Sequence, residues 1–365
     1  MEVPAVRLNL IFEAHKEEYM QKALDILSSG RYIMGKELAA FESAFAEYIG
    51  TRHCVGLASG LDALWITFRI LGIGSGDEVI VQGNTFIAGV MGISINGAVP
   101  VFAEPDEHFS LSAKEIEKHI TSKTKAVLVT HLYGMMTPMD EIVQLCRKYD
   151  LRIVEDCAQA HGASYRGKKA GSFGDVGCFS FFPTKNLGAF GDGGAVVLND
   201  SSLYEKFLTF RNYGSEKKYH NSVVGTNSRL DELQAGLLGI RLKYLDEMNE
   251  ERCRIAEKYF NNITNPLLSL PVPHTETVNV WHQFVVRCAQ RDALQRFLRS
   301  RNIDTIIHYP IPPHLSEAYR YLGLGKGSLP KTEMLADTVL SLPLYNGLSA
   351  PEQNRVIETL NEFSE

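Results

Sequence analysis

Lys185 is the residue of this chain best suited to covalent chemistry. It follows an apolar run and opens a glycine-rich stretch over residues 180–194. A lysine that forms a Schiff base with a carbonyl needs a fixed backbone, apolar neighbours that lower its pKa and small residues beside it. This stretch offers all three. The alternative interpretation is a lysine at a surface turn, where most lysines are found.

Asp156 is a candidate partner for that lysine, because it ends a short β-rich run that begins at Leu151. In an open α/β sheet, ligands bind beyond the carboxyl ends of the strands, so Asp156 is expected in that crevice. A carboxylate there can pair with a protonated pyridine nitrogen. A lysine for the aldehyde and an acid for the ring are what pyridoxal phosphate requires. The alternative is that Asp156 caps a helix that follows it.

A third segment could bind the phosphate of such a cofactor. Ser59-Gly60-Leu61 lies between a β-rich run and an apolar helical pattern. The free amides and the positive dipole of a helix N-terminus bind phosphate. By itself the pattern is also that of an ordinary capped helix. Ser180, shortly before Lys185, is a second hydroxyl that could reach the same phosphate.

Taken together, these segments resemble the DegT/DnrJ/EryC1/StrS family of sugar aminotransferases, which are fold-type I (aspartate aminotransferase-like) enzymes of pyridoxal phosphate. The resemblance runs nearly end to end and includes residues 29–35, 227–235 and 341–345. It implies that Lys185 forms the Schiff base, that Asp156 faces the pyridine nitrogen and that Gln159 lies near the ring hydroxyl. A branch of the family that dehydrates sugars has histidine in place of the lysine, and this chain does not.

The resemblance also implies further binding residues. Ser59, Ser180 and the amides of Gly60 and Leu61 would hold the phosphate, and Phe86 would stack on the ring. Asn227, near the cofactor, and Arg229, near the substrate, resemble residues that the family supplies from the neighbouring subunit. A homodimer with shared active sites is therefore expected.

The expected substrate also follows from the resemblance. Gly60-Leu61-Asp62 and residues 185–194 are more like the enzymes that aminate C3 of nucleotide-linked 3-keto-6-deoxyhexoses. We expect transfer from L-glutamate to C3 of a dTDP-linked 3-keto-6-deoxyhexose, giving a dTDP-3-amino-3,6-dideoxyhexose. Thr184 departs from that group, which often has glycine there. Alternatives are a C4 aminotransferase, an enzyme of UDP-linked 3-keto sugars, a sugar-nucleotide binding module and a non-catalytic regulator that carries the cofactor.

Several aromatic and histidine residues are candidates for touching substrate. His308 and Tyr309 follow a β-rich run and precede a proline, where two polar rings could contact a sugar or nucleotide. Tyr213 is a weaker candidate, His161 is a weak candidate for lying near the cofactor, and a structural role is expected for His282. Arg229 is expected to hold the carboxylate of the amino donor, because arginine pairs with carboxylates in a bidentate manner.

Composition narrows the class of protein. The chain has 365 residues, of which 45% are hydrophobic and 22% charged, with a formal net charge of −6. No basic stripe indicates nucleic acid, and no apolar stretch of about 20 residues indicates a membrane. The N-terminus has no signal-peptide pattern, so a cytoplasmic enzyme is expected. Six scattered cysteines predict neither a metal site nor disulfides, and Cys157 is a weak candidate nucleophile.

The elements that must position these residues alternate along the chain. Helical patterns at 13–28, 37–48, 60–71, 85–96, 112–120 and 138–149 separate β-rich runs at 53–57, 78–81, 98–102, 125–130 and 151–155. Further β-rich runs lie within 172–198, before helical patterns at 201–211 and 229–248. This order predicts an α/β fold with a mainly parallel sheet between helices. We expect a large cofactor-binding domain over 1–250 and a smaller C-terminal α+β domain over 251–365.

Overall fold

The computed structural model describes residues 1–364. Its helices are α1 Asn9–Ala14, α2 Lys16–Ser29, α3 Lys36–Ile49, α4 Gly60–Ile70, α5 Ile87–Ser94, α6 Ala113–Glu117, α7 Asp140–Lys148, α8 Ser201–Phe210, α9 Glu232–Lys243, α10 Leu245–Asn262, α11 Arg291–Ser300, α12 Pro330–Thr338 and α13 Ala350–Glu362. Its strands are β1 His53–Leu57, β2 Glu78–Gln82, β3 Val99–Ala103, β4 Thr124–Thr130, β5 Arg152–Asp156, β6 Ser164–Tyr165, β7 Lys168–Lys169, β8 Val176–Ser180, β9 Gly194–Leu198, β10 Ser215–Lys217, β11 His220–Asn221, β12 Leu268–Ser269, β13 Thr277–Val278, β14 Phe284–Cys288 and β15 Val339–Leu342.

Seven strands form the central sheet, in the order β1-β9-β8-β5-β4-β2-β3. The strands from β8 to β3 run parallel to their neighbours. β9 is antiparallel to both β1 and β8, so β1 has the same direction as the parallel strands. The predicted mainly parallel sheet is confirmed. Six strands therefore end at one edge of the sheet.

Two apolar cores cover the faces of this sheet, because successive side chains of a strand point to opposite sides. In β4, Val127 and Val129 belong to one core, whereas Ala126 and Leu128 belong to the other. Phe41 and Phe45 of α3 join the first core, and α4 contributes to the second. Burial of both faces explains why these strands read as continuous apolar runs.

A third core holds the C-terminal part of the chain together. An antiparallel sheet, β12-β14-β15, packs with α10, α11 and α13 around Phe284 and Tyr259. The N-terminus joins this part, since Val3 forms a parallel bridge with Ile303. The division into 1–250 and 251–365 stays a prediction, and its boundary falls within α10. Over residues 1–364, every helix is too short or too polar to cross a membrane.

Two of the predicted helices are each divided into two in the structure. The pattern at 13–28 is interrupted at His15, and the pattern at 229–248 is interrupted at Tyr244, each of which leaves the helical conformation. The rings of these two residues stack with their centroids 3.8 Å apart. The Tyr244 hydroxyl also donates to Glu18 Oε1 at 2.5 Å. Both helical patterns are interrupted at this tertiary contact. The hydrophobic periodicity of the sequence cannot predict a contact between distant residues.

Candidate active site

A cavity of about 450 Å³ lies where the parallel strands end. Such a crevice is where open α/β sheets bind ligands. Ten of the predicted site residues line this cavity: Ser59, Gly60, Leu61, Phe86, Asp156, Gln159, Ser180, Lys185, His308 and Tyr309. The sequence motifs are far apart along the chain, but the sheet gathers them at one point.

Lys185 enters the cavity from a tight turn after β8. Its amide donates to the Phe182 carbonyl at 2.8 Å, and its carbonyl accepts from Arg241 Nη2 at 3.0 Å. Arg241 Nη1 also donates to the Gly188 carbonyl at 2.8 Å, so one guanidinium holds both ends of the turn. Burial lowers the pKa of Lys185 to about 8, and the nearby Asp156 opposes that shift. The surface-turn interpretation of Lys185 is therefore wrong.

Asp156 ends β5 and is buried at the floor of the cavity. Burial raises the pKa of its carboxyl, whereas the Ala158 amide, Lys185 and His131 lower it. Its Oδ1 accepts the Ala158 amide at 3.1 Å, but a turn and not a helix follows. The helix-cap interpretation of Asp156 is therefore wrong, and the carboxylate is left facing Lys185 and the cavity.

The N-terminus of α4 forms the opposite end of the cavity. Ser59 caps the helix, because its Oγ accepts the Asp62 amide at 3.1 Å. The first amides of a helix have no intrahelical partner. A Cβ on Gly60 would lie 2.5 Å from Ser180 Cβ and 3.0 Å from Ser180 Oγ. Only glycine permits this close approach. It brings the free amides of α4 next to the hydroxyls of Ser59 and Ser180, which together form a cradle that suits a phosphate.

Gln159 links the cavity floor to the C-terminal part of the chain. Its Oε1 accepts the Tyr133 amide at 2.6 Å, and its Nε2 donates to the Tyr309 hydroxyl at 3.2 Å. The Tyr133 hydroxyl donates in turn to the His308 carbonyl. The Phe86 and Tyr309 rings lie with their centroids 5.2 Å apart, on the wall of the cavity.

Sequence reasoning missed several residues of the wall, one of which is Gln283. Its Nε2 lies 3.0 Å from His308 Nε2, and His308 Nδ1 lies 2.8 Å from Ser341 Oγ. Burial lowers the pKa of His308 to about 4, so this ring is neutral at neutral pH. The Gln283 Oε1 atom is buried without a partner. The local sequence, a glutamine after a tryptophan and a histidine, contains no pattern that predicts a position in the cavity wall.

Glu155, which precedes Asp156, fixes the end of β5 from the other face of the sheet. Its carboxylate accepts the amides of Gly171, Phe173 and Gly174 at 2.7 to 2.9 Å. His131 Nε2 completes this set at 3.0 Å. His131, Glu155 and Cys157 have ligand atoms within 4.8 Å of one another, but the carboxylate is already saturated by these donors.

Two of the remaining weak candidates, Cys157 and His161, do not face the cavity. Cys157 is fully buried, and burial raises its pKa well above the usual value, so the nucleophile hypothesis is wrong. His161 is fully buried between Phe179 and Phe181 and does not line the cavity, contrary to its weak assignment. His282 lines the cavity and also meets Asn186 at 3.2 Å, which agrees with the structural role expected for it.

Asn227, Arg229 and Tyr213 lie outside the cavity of their own chain. Ser228, between the first two, is buried and donates to Asp62 Oδ2 at 2.7 Å. Asn227 is exposed, and Arg229 is partly exposed. Arg229 Nη1 donates to Asn212 Oδ1 at 2.8 Å, and its guanidinium lies 5.5 Å from the centre of the Tyr213 ring.

Comparisons with known proteins agree with this arrangement. The model of the DegT/DnrJ/EryC1/StrS aminotransferase family matches residues 13–361. The chain is 48% identical over 362 residues to dTDP-3-amino-3,6-dideoxy-alpha-D-galactopyranose transaminase of Aneurinibacillus thermoaerophilus, covering 99% of each chain. It is 47% identical to dTDP-3-amino-3,4,6-trideoxy-alpha-D-glucose transaminase of Streptomyces venezuelae, covering 100% of this chain and 96% of the relative. The crystal structure of S. venezuelae DesV in complex with a ketimine intermediate superposes with a TM-score of 0.98 over the whole of both chains, at 47% identity.

Proposed function

Since the chain belongs to the DegT/DnrJ/EryC1/StrS aminotransferase family, we propose that it transfers an amino group from L-glutamate to C3 of a dTDP-linked 3-keto-6-deoxyhexose. The product is a dTDP-3-amino-3,6-dideoxyhexose. One observation carries the proposal: Lys185, Asp156 and the cradle at Gly60 line one cavity, in a chain nearly half identical to two dTDP-3-amino-sugar transaminases.

The residues of the cavity fit pyridoxal phosphate. Ser59, Gly60, Leu61 and Ser180, which line the cavity, would hold the phosphate, and Asp156 would hold the pyridine nitrogen. The cofactor supplies an electron-withdrawing ring, through which an amino group and the proton on its carbon can be exchanged. The close approach of Gly60 to Ser180 supports this fit, because it brings the free amides at the start of α4 beside the Ser180 hydroxyl, and a side chain at residue 60 would push the two apart.

Lys185 has two tasks in this proposal. Its amine would hold the cofactor aldehyde between turnovers and, once released, would move the proton from the α-carbon of the donor to the cofactor. A pKa of about 8 suits both tasks, because a useful fraction of the amine is unprotonated at neutral pH. Asp156 remains ionised when it faces a cationic ring, since a nearby opposite charge favours the carboxylate.

Phe86, Gln159, His308 and Tyr309 surround the place for ring and sugar. Phe86 would stack on the cofactor ring, and Gln159 would lie near the ring hydroxyl. The described residues that line the cavity include no arginine. A hexuronate would need an arginine for its own carboxylate, in addition to the one that holds the carboxylate of the amino donor, and this agrees better with an uncharged deoxysugar.

We further propose a homodimer in the cytoplasm with shared sites. The anchored Ser228 presents Asn227 and Arg229 to a second copy, with Asn227 near the cofactor and Arg229 and Tyr213 near the substrate. Met20, Leu24 and Leu27 of α2 are each more than half exposed and share one helix face. Tyr19 and Ile26, which lie on another face of α2, are buried. An exposed apolar stripe of this kind supports a protein interface.

The proposal is tested by the choice of acceptor. The purified enzyme is incubated with L-glutamate and, in parallel, dTDP-linked 3-keto-6-deoxyhexose, its 4-keto isomer and a UDP-linked 3-keto sugar. We expect kcat/KM to be highest for the first, measured by the release of 2-oxoglutarate. A preference for the 4-keto or the UDP-linked acceptor would contradict the substrate and leave the fold and family intact.

A further inference from the structure

Arg252 of α10 is a buried cation without an acidic partner. Only 3% of its surface is exposed, and its Nε donates to Asn346 Oδ1 at 3.0 Å. Its Nη1 shares the carbonyls of Trp281, His282 and Leu344 at 3.2 to 3.4 Å. Within residues 1–364 no carboxylate lies within 4.0 Å of this guanidinium, and Nη2 donates to no protein acceptor. Burial lowers its pKa only to about 10, so the positive charge persists at neutral pH.

Arg252 lines a second cavity, of about 80 Å³, which we call the side chamber. Thr184, His282, Gln283 and His308 line both the side chamber and the large cavity. Thr184 directly precedes Lys185 in the chain. The side chamber therefore adjoins the place where an amino group must reach Lys185.

The side chamber is suited to a negative group. Leu342, Leu344 and Ile306 complete its wall, and their apolar side chains strengthen any charge interaction inside it. Burial lowers the pKa values of His282 and His308, so both rings are neutral. Arg252 is therefore the charged residue among those that line the side chamber. The buried Gln283 Oε1 lacks a donor, and an ammonium group could provide one.

We propose that the side chamber binds a carboxylate of the acyclic amino donor, an α-amino acid such as L-glutamate, through Arg252 Nη2. The inference rests on the proposed aminotransferase function and names the donor's site within it. It replaces the expectation that Arg229 holds this carboxylate. Arg229, which the proposed dimer assigns to the neighbouring site, has its Nη1 already bonded to Asn212.

The test uses the cofactor-loaded enzyme and separates the two half-reactions. Arg252→Gln is compared with Arg254→Gln, which changes an exposed arginine two residues further along the same helix. Conversion of the cofactor by L-glutamate alone is followed by absorbance. Because removing one partner of a buried charge pair weakens binding, we expect the glutamate concentration for half-maximal rate to rise at least about tenfold in Arg252→Gln. Arg254→Gln should match the wild type, and Arg252→Lys should recover part of the loss.

A second readout does not depend on turnover. Glutarate, which has the carboxylates but no amino group, is titrated into the enzyme by calorimetry. It should bind to the wild type and to Arg254→Gln, and at least about tenfold more weakly to Arg252→Gln. If Arg252→Gln does not fold, Thr184→Val provides the comparison, because it removes a polar group from the same chamber and should also weaken glutarate binding.

Several outcomes would overturn the inference. These are unchanged glutamate and glutarate affinities in folded Arg252→Gln, no glutarate binding to the wild type, or a larger loss of glutamate affinity in Arg229→Gln. An equal loss with the amino-sugar nucleotide, run in the reverse direction, would also refute a site specific to the donor. Failure of the wild type with every amino donor would instead refute the proposed function, so the two failures are distinguishable.

Discussion

At the scale of single residues, the account depends on the state of the Lys185 amine. Its pKa is lowered from 10.5 to about 8, mainly by burial. The unprotonated amine attacks the aldehyde, so the rate at which pyridoxal phosphate attaches to cofactor-free protein should rise with pH through about 8 and level off above it. Borohydride reduction followed by peptide mapping measures this rate at Lys185 itself.

Two controls accompany this experiment. Lys185→Ala should not be labelled. Lys168 and Lys169, in the short hairpin of β6 and β7, should remain unlabelled at every pH. A rate that keeps rising toward pH 10, or label at either of those lysines, would contradict the assignment.

Most of these residues could be identified from the sequence, because each follows a strand that ends at the same edge of the sheet. Asp156, Ser180 and Ser59 belong to this class. Gln283 and Arg252 could not be found in this way. Their surroundings are built by tertiary packing of the C-terminal part, and neither lies in a local pattern that indicates a ligand.

At the scale of elements, the cradle between α4 and β8 decides whether a phosphate fits. Gly60→Ala would place a methyl group 2.5 Å from Ser180 Cβ. We expect the Kd for pyridoxal phosphate to rise at least about tenfold, on the order of 1.4 kcal/mol or more, in a fluorescence titration of the cofactor-free protein. Gly325→Ala, where a Cβ would meet nothing within 4 Å, should leave the affinity unchanged.

The unfolding of both cofactor-free variants is measured alongside. This separates a blocked phosphate site from a destabilised fold. Unchanged cofactor affinity in folded Gly60→Ala would show that the phosphate does not bind at the cradle that Gly60 and Ser180 form.

The strands were predicted more accurately than the helices. Five predicted runs agree with β1 to β5 within a residue at each end, because buried parallel strands are marked by apolar residues and bounded by turns. Helix ends depended on tertiary contacts, as the stacked His15 and Tyr244 show. Helix propensity is a property of the local sequence and does not include this contact. The breaks at His15 and Tyr244 could therefore not be predicted from the sequence.

At the scale of the whole molecule, the proposed homodimer predicts that inactive subunits complement each other. Lys185→Ala lacks a residue of the cavity, and Arg229→Ala lacks a residue that we assign to the partner's site. In a heterodimer, one of the two sites would contain both intact residues. We expect about half of the wild-type activity per heterodimer, measured after co-expression with two affinity tags.

The matched control pairs Lys185→Ala with Asp156→Asn. Both residues line the cavity of one chain, so each site of that heterodimer lacks one of them. This pair should stay inactive. Equal recovery in both pairs, or none in proven heterodimers, would contradict shared sites.

The most direct test of the central claim follows the transferred nitrogen. The enzyme is supplied with ¹⁵N-labelled L-glutamate and a dTDP-linked 3-keto-6-deoxyhexose, and the product is analysed by NMR. The account predicts a ¹⁵N nucleus bonded to C3 of the sugar, with one 2-oxoglutarate released for each amino sugar formed. Nitrogen on C4, or no transfer while glutamate alone still converts the cofactor, would contradict it.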